Sequence, residues 1–174
     1  MSYDQSNGLW VVVKQATTLK EYITDMYLTE GRTYSFRVEA RNELGYSFPS
    51  ESISILAAQV PGTPQAPTTF NTGKSIRITW TPPDDGGTPI LSYRLFIRNV
   101  DSTEFFEDLT YCDGSDPTVF AERTCTVPNT VLNAAPYNIL WGDGVYAKFE
   151  ATNVYGTSPI SVSGNGAILI NGPT

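Results

Sequence analysis

The stretch Thr33-Tyr34-Ser35-Phe36-Arg37-Val38-Glu39-Ala40, continued by Arg41-Asn42-Glu43-Leu44-Gly45-Tyr46-Ser47, decides how the rest of the chain is read. Tyr34, Phe36, Val38 and Ala40 alternate with Ser35, Arg37 and Glu39, the period of a strand with one buried and one wet face. The Asn and Gly that follow suit a tight turn into an antiparallel neighbour, because both tolerate positive φ. The same pattern returns downstream. Val145, Ala147, Phe149 and Ala151 alternate with Tyr146, Lys148 and Glu150, and Ala40, Asn42, Gly45 and Ser47 recur as Ala151, Asn153, Gly156 and Ser158, each 111 residues later. A repeat of that length means two sandwich-sized units in tandem.

Working outward, Val60-Pro61-Gly62-Thr63-Pro64-Gln65-Ala66-Pro67 has no apolar period and reads as a stiff linker entering an edge strand. It divides the chain into residues 1–61 and 62–174. In the second part Ser75-Ile76-Arg77-Ile78-Thr79-Trp80 alternates, Thr81 to Pro89 is dense in Pro and Gly, and Ile90 to Ile97 is apolar again: strand, turn, strand. Aligned on the repeat, residue 1 corresponds to about residue 112, so the first part is expected to lack the strands that residues 64–99 supply. What remains is a strand at Leu9 to Val13, one at Glu21 to Leu28, and the repeated pair. The chain ends at Asn171-Gly172-Pro173-Thr174, where the next such linker is expected.

Composition narrows function. Eighteen Asp and Glu against eleven Lys and Arg give a net charge of −7, which argues against nucleic acid and anionic lipid as partners. No apolar run is long enough to span a membrane, so no membrane insertion is expected. The absence of His excludes Ser-His-Asp and Cys-His catalysis and the usual zinc sites, so no enzyme, metal or cofactor is expected. The acidic runs at Asp84-Asp85 and Asp101 to Asp108 lack the spacing of a calcium loop.

At Trp80, at the Pro82-Pro83-Asp84-Asp85-Gly86-Gly87 turn, at Tyr93 and at the twice-repeated Ala-x-Asn-x-x-Gly, the chain resembles the fibronectin type III family. Leu28-Thr29-Glu30-Gly31-Arg32-Thr33-Tyr34 matches the family's tyrosine corner. The resemblance implies an all-β fold of tandem Greek-key sandwiches, the first incomplete, with Trp80, Tyr93, Tyr34, Phe36 and Phe149 in the cores. At the second corner the matching residue is Val145, so that hydrogen bond is expected to be lost or replaced. The segment Glu107 to Thr130 carries an insertion, which resembles variants in large repetitive surface proteins of ciliates and other protists.

Cys112 and Cys125 lie in that insertion, thirteen apart, and are expected to form a disulfide that staples a loop and implies an extracellular place. Two thiols in a reducing compartment are the alternative. The expected function is a non-catalytic structural module of an extracellular repeat or fibre protein. Its expected partners are other protein chains; the incomplete first unit is expected either to be a segment of a longer array or to be completed in trans by strand complementation, copies of itself among the donors. A receptor ectodomain is the competing reading, with Asp113, Asp116, Tyr137 and Trp141 on contact loops. An intracellular scaffold of the muscle-protein type, or an accessory module of a secreted enzyme, would account for the same strands.

Overall fold

A computed structural model describes residues 2–4, 8–24, 27–101 and 103–170. The terminal Asn171–Thr174 reading lies outside the described residues. The chain divides into two compact units, Met1–Gln59 and Val60–Thr174.

The first unit is built from β1 (Ser2–Asp4), β2 (Val11–Val12), β3 (Thr33–Arg37), β4 (Arg41–Asn42), β5 (Gly45–Tyr46) and β6 (Ile53–Leu56). Four of these form one antiparallel sheet in the order β2-β1-β3-β6. Tyr3 stands opposite Phe36 and Val11, and Phe36 opposite Ile53, so their side chains share one face. Two sequence expectations need correction. Ser2–Asp4 occupies a strand position beside β3, where no strand was expected. Among the described residues of Glu21 to Leu28 there is no strand, because the described residues of the unit include no facing strand for that segment to pair with.

The second unit contains β7 (Thr68–Thr72), β8 (Ser75–Thr79), β9 (Ser92–Arg98), β10 (Phe105–Glu107), α1 (Pro117–Glu122), β11 (Thr124–Pro128), α2 (Asn129–Leu132), β12 (Gly144–Val145), β13 (Ala147–Asn153), β14 (Gly156–Thr157) and β15 (Ala167–Ile168). One sheet runs β10-β9-β13-β14 and the facing one β11-β8-β7, with β12 paired to β15. The alternation of β8, β9 and β13 drives this. Ile76, Ile78 and Trp80 come from one layer, and Tyr93, Leu95, Ile97, Ala147, Phe149 and Ala151 from the other; all are buried in a single core. Trp80 meets Tyr93 edge-on with ring centres 5.5 Å apart, and Phe149 lies 6.0 Å from Trp80. Part of the supposed insertion is thus framework. Thr124–Pro128 pairs with Thr79 to Ser75 as a strand of the facing sheet.

Candidate protein-contact surface

The repeat seen in sequence is a repeat of hydrogen bonds. In the first unit Ser47 N–H donates to Ala40 O (2.8 Å), and Ala40 N–H donates to Ser47 Oγ (3.0 Å). In the second unit Ser158 and Ala151 make the same two bonds at 2.8 and 3.0 Å. Ser50 with Val38 and Ser161 with Phe149 form a further matching pair. Asn42 Oδ1 accepts from Leu44 N–H as Asn153 Oδ1 accepts from Tyr155 N–H. Gly45 and Gly156 take φ of 142° and 138°, which L side chains rarely adopt.

The corners match as well, with one substitution. Thr29 N–H donates to Tyr34 Oη at 2.8 Å in the first unit. Its counterpart, Leu140 N–H, donates instead to Asp143 Oδ2 at 3.1 Å. A carboxylate therefore replaces the tyrosine hydroxyl that Val145 cannot supply. The flanking bonds persist: Gly31 N–H to Ala57 O and Ala57 N–H to Arg32 O in one unit, Gly142 N–H to Leu169 O and Leu169 N–H to Asp143 O in the other.

What differs is cover. Phe149 is fully buried, whereas Val38 at the same place is 50 % exposed. On the same face Val11 is 51 %, Ile53 63 % and Ile55 51 % exposed. The sheet in the first unit corresponds to the β10-β9-β13 layer with its last strand, while among the described residues the layer equivalent to β11-β8-β7 has no counterpart. Tyr3 and Tyr34 are buried even so, with ring centres 6.0 Å apart, so the uncovered area lies toward Val38 and β6. These exposed apolar side chains on one face form a candidate contact surface.

The second unit places the remaining singled-out residues. Cys112 and Cys125 are joined by a disulfide (S–S 2.02 Å) that ties the segment after β10 to β11. The closed loop carries α1, capped by Asp116, whose side chain accepts from Thr118 N–H and Val119 N–H. Asp113 accepts from the Ser115 hydroxyl and then its amide, which hold its carboxyl below the usual range. Both aspartates are thus occupied locally. Phe120 of α1 stacks on Tyr93 at 5.4 Å, and with Pro82 and Pro83 it flanks an open cleft of about 550 Å³.

Tyr137 is no contact residue. It is buried, and its hydroxyl donates to Asp108 Oδ2 at 3.0 Å. Burial first, then the Asp108 carboxylate, pushes the phenol far up. Trp141 remains 44 % exposed. The two loop groups do not converge either: Gly114 O bonds to Tyr93 at one end of β9 and Tyr137 O to Val100 beyond the other, about 20 Å apart at the rise of a strand. The receptor reading loses its joint surface for that reason. Among the described residues no group of His, Cys, Asp and Glu could hold a metal ion, and no helix is long and apolar enough to cross a membrane.

Two layers in this strand order, joined by the repeated corner and hairpin, match solved β-sandwich arrays. A titin structure (domains A168 to A170) covers 98 % of this chain with a TM-score of 0.54 at 16 % identity, over 54 % of its own length. The chicken CNTN1 FN1–FN3 domains cover 84 % with a TM-score of 0.50 at 19 % identity, over 47 % of theirs. By its sequence relatives as well as its fold, the chain is a fibronectin type III-like repeat protein. In sequence this repeat protein is 31 % identical over 163 residues, 89 % of its length, to titin of Drosophila melanogaster. It is 35 % identical over 104 residues, 57 % of its length, to fibronectin type-III domain-containing protein 3A of Mus musculus. A Kelch domain-containing protein of Saccharolobus solfataricus matches 43 % of the chain at 37 % identity. The chain spans only 1 %, 8 % and 10 % of these three relatives. No protein-family model matches it. Fibronectin type III modules are non-catalytic protein-interaction modules, and those of this chain are of that kind.

Proposed function

We propose that this chain is a structural segment of an extracellular array of fibronectin type III-like modules, working through protein contacts, with its first unit completed by a neighbouring chain. The observation that carries the reading is the pairing of two sheets with the same hydrogen bonds, one covered and one bare. The Cys112–Cys125 disulfide supports the extracellular place, since such a bond persists outside reducing compartments. In the array the second unit is the rigid element, strapped by that bond, and the first is the adhesive one. No step of chemistry is assigned to any residue.

The test uses the protein in its native cells. Thiols are blocked with alkylating reagent at lysis, and peptides spanning Cys112 and Cys125 are mapped without reduction. A disulfide-linked peptide pair is the expected result; two alkylated thiols would place the protein in a reducing compartment and overturn the extracellular reading.

A further inference from the structure

We propose that the cleft between α1 and the turn at residues 81–89 binds an extended segment of another protein, one that carries an apolar residue between an acidic and a basic one. The cleft lies wholly within the second unit, so the site does not depend on the array reading. Its apolar surface comes from Phe120, the Tyr93 it stacks on, Pro82, Pro83 and Ile90.

Tyr93 is the first reason to expect a ligand. It is 4 % exposed, with Trp80, Phe120 and Phe149 around its ring at 5.4 to 6.1 Å. Among the described residues its hydroxyl has no hydrogen-bond partner. The hydroxyl is not sealed in the core as Trp80 Nε1 is, and the opening that Tyr93 lines is the cleft. A buried phenol ordinarily bonds through its hydroxyl. This one is left for an acceptor that enters from outside.

Arg123 is the second. It holds φ of 53° in the left-handed region, with its N–H donating to Val119 O and its O accepting from Trp80 N–H. Glycine or asparagine is the usual residue at such a helix end, because a larger side chain is strained there. Arginine instead brings a guanidinium to the cleft close to Tyr93: burial raises the phenol's pKa, and the Arg123 charge works against that rise.

Unpaired charge is the third. Asp84 Oδ1 accepts from Gly86 N–H at 2.9 Å and Asp85 Oδ1 from Gly87 N–H at 2.8 Å. Their carbonyls accept from Gly62 N–H and Asn153 Nδ2. The turn is thereby held in one shape, with Oδ2 of each carboxylate left over. Among the described residues Arg123 forms no ion pair with either aspartate, although all three line one cleft. Opposite charges held apart in this way fit a ligand that carries both.

The occupant follows from these parts. Its acid accepts from Arg123 and Tyr93 Oη, its apolar side chain packs on Phe120 and the prolines, and its base meets the Asp84–Asp85 turn. A volume of about 550 Å³ takes a few residues of chain and not a single side chain. The segment does not add as a strand. Tyr93 is flanked by Ala151 on one side and by Gly114 on the other, so closely that a Cβ at Gly114 would lie 2.3 Å from Tyr93 O. Recognition is by side chains on aromatic and proline surfaces, the mode that suits a polyproline II segment.

The test titrates the full chain with end-blocked peptides Glu-Pro-Leu-Pro-Lys and Lys-Pro-Leu-Pro-Glu, one for each direction of the segment, followed by amide NMR. At least one is expected to bind with Kd below about 1 mM and to shift the resonances of Gly86, Gly87, Phe120 and Arg123. The uncharged Gln-Pro-Leu-Pro-Gln is expected to bind at least about tenfold more weakly. Tyr93→Phe and Arg123→Gly are each expected to weaken binding by at least about tenfold with Tm unchanged or raised. The hydroxyl has no bond to lose, and glycine relieves the left-handed strain. Absence of binding by both charged peptides overturns the proposal. So does equal binding of the uncharged one, a set of shifts that misses the cleft, or full binding by either variant. Binding lost only together with a fall in Tm assigns both groups to the fold and overturns it as well. None of these outcomes touches the array reading, which the state of the cysteines tests.

Discussion

Replacing both cysteines, Cys112→Ala with Cys125→Ala, isolates what the staple contributes to the second unit. The bond closes a sequence separation of 13 residues. In the chain-entropy treatment, freeing a loop of that size in the unfolded chain costs about 3 kcal/mol of stability. At about 2.1 cal/mol/K of unfolding entropy per residue, a unit spanning Val60–Thr174 converts this into a fall of about 12 °C in Tm. Both sulfurs sit in the core, so the loss of packing adds to the fall and does not offset it. The assay is calorimetry of the wild type and the double variant, each also scanned with reductant. A fall of less than about 3 °C would refute the reasoning. It would mean that the Asp116 cap and the Phe120–Tyr93 stack hold the loop without the bond, or that the unfolded chain keeps the loop closed unaided.

Tyr137→Phe removes one hydrogen bond to a buried carboxylate and is expected to cost about 2 kcal/mol, read as a shift in denaturant midpoint without change in slope. Asp143→Ala uncaps Leu140 N–H and is expected to cost about 1 kcal/mol, as is Tyr34→Phe at the matching corner; loss from one and not the other would break the claimed equivalence. Arg94 makes two ion pairs, to Glu107 and Glu150, both at 2.8 Å. Its hydrogen bonds hold the Glu107 carboxyl below its ordinary value of 4.5. A lowered folded pKa gives stability that is present above 4.5 and is lost as pH falls through the lowered value. The Tm difference between the wild type and Arg94→Gln is therefore expected to close on acidification below that point. It is small throughout, about 0.5 kcal/mol or less, because Arg94 is half exposed.

The repeated strand and hairpin were legible because their signals are local. Alternation over eight residues sets the face, and Asn with Gly three residues on sets the turn. Tyr137 was misread for the opposite reason. Its partner Asp108 lies 29 residues away, and nothing near Tyr137 in sequence announces a buried carboxylate. The strand at Ser2–Asp4 is too short to show a period and exists only through pairing with β3. Two features were readable but went unread. Asp116-Pro117 is the signature of a capped helix start with Pro at its first position. Asp143, three residues after Leu140, is placed to take over a backbone donor once the corner tyrosine is gone.

The same locality explains how the first unit can carry a bare face at all. In the repeated hairpin Ser47, Ser50 and Asn42 accept from backbone N–H groups of their own strand and turn, so those groups are satisfied without any facing layer. Apolar cover adds stability in the second unit, where Phe149 is fully buried, but it does not create the hairpin. A hairpin that holds its shape without cover presents Val38, Ile53 and Ile55 in fixed positions, which lowers the ordering cost to whatever binds them. The serines and asparagine that make the repeat readable in sequence are thus what makes the uncovered unit usable as a surface. Replacing Ser47 and Ser50 with Ala is accordingly expected to loosen the first unit's hairpin, read as faster amide hydrogen exchange at Val38 and Ala40, with exchange in the second unit unchanged.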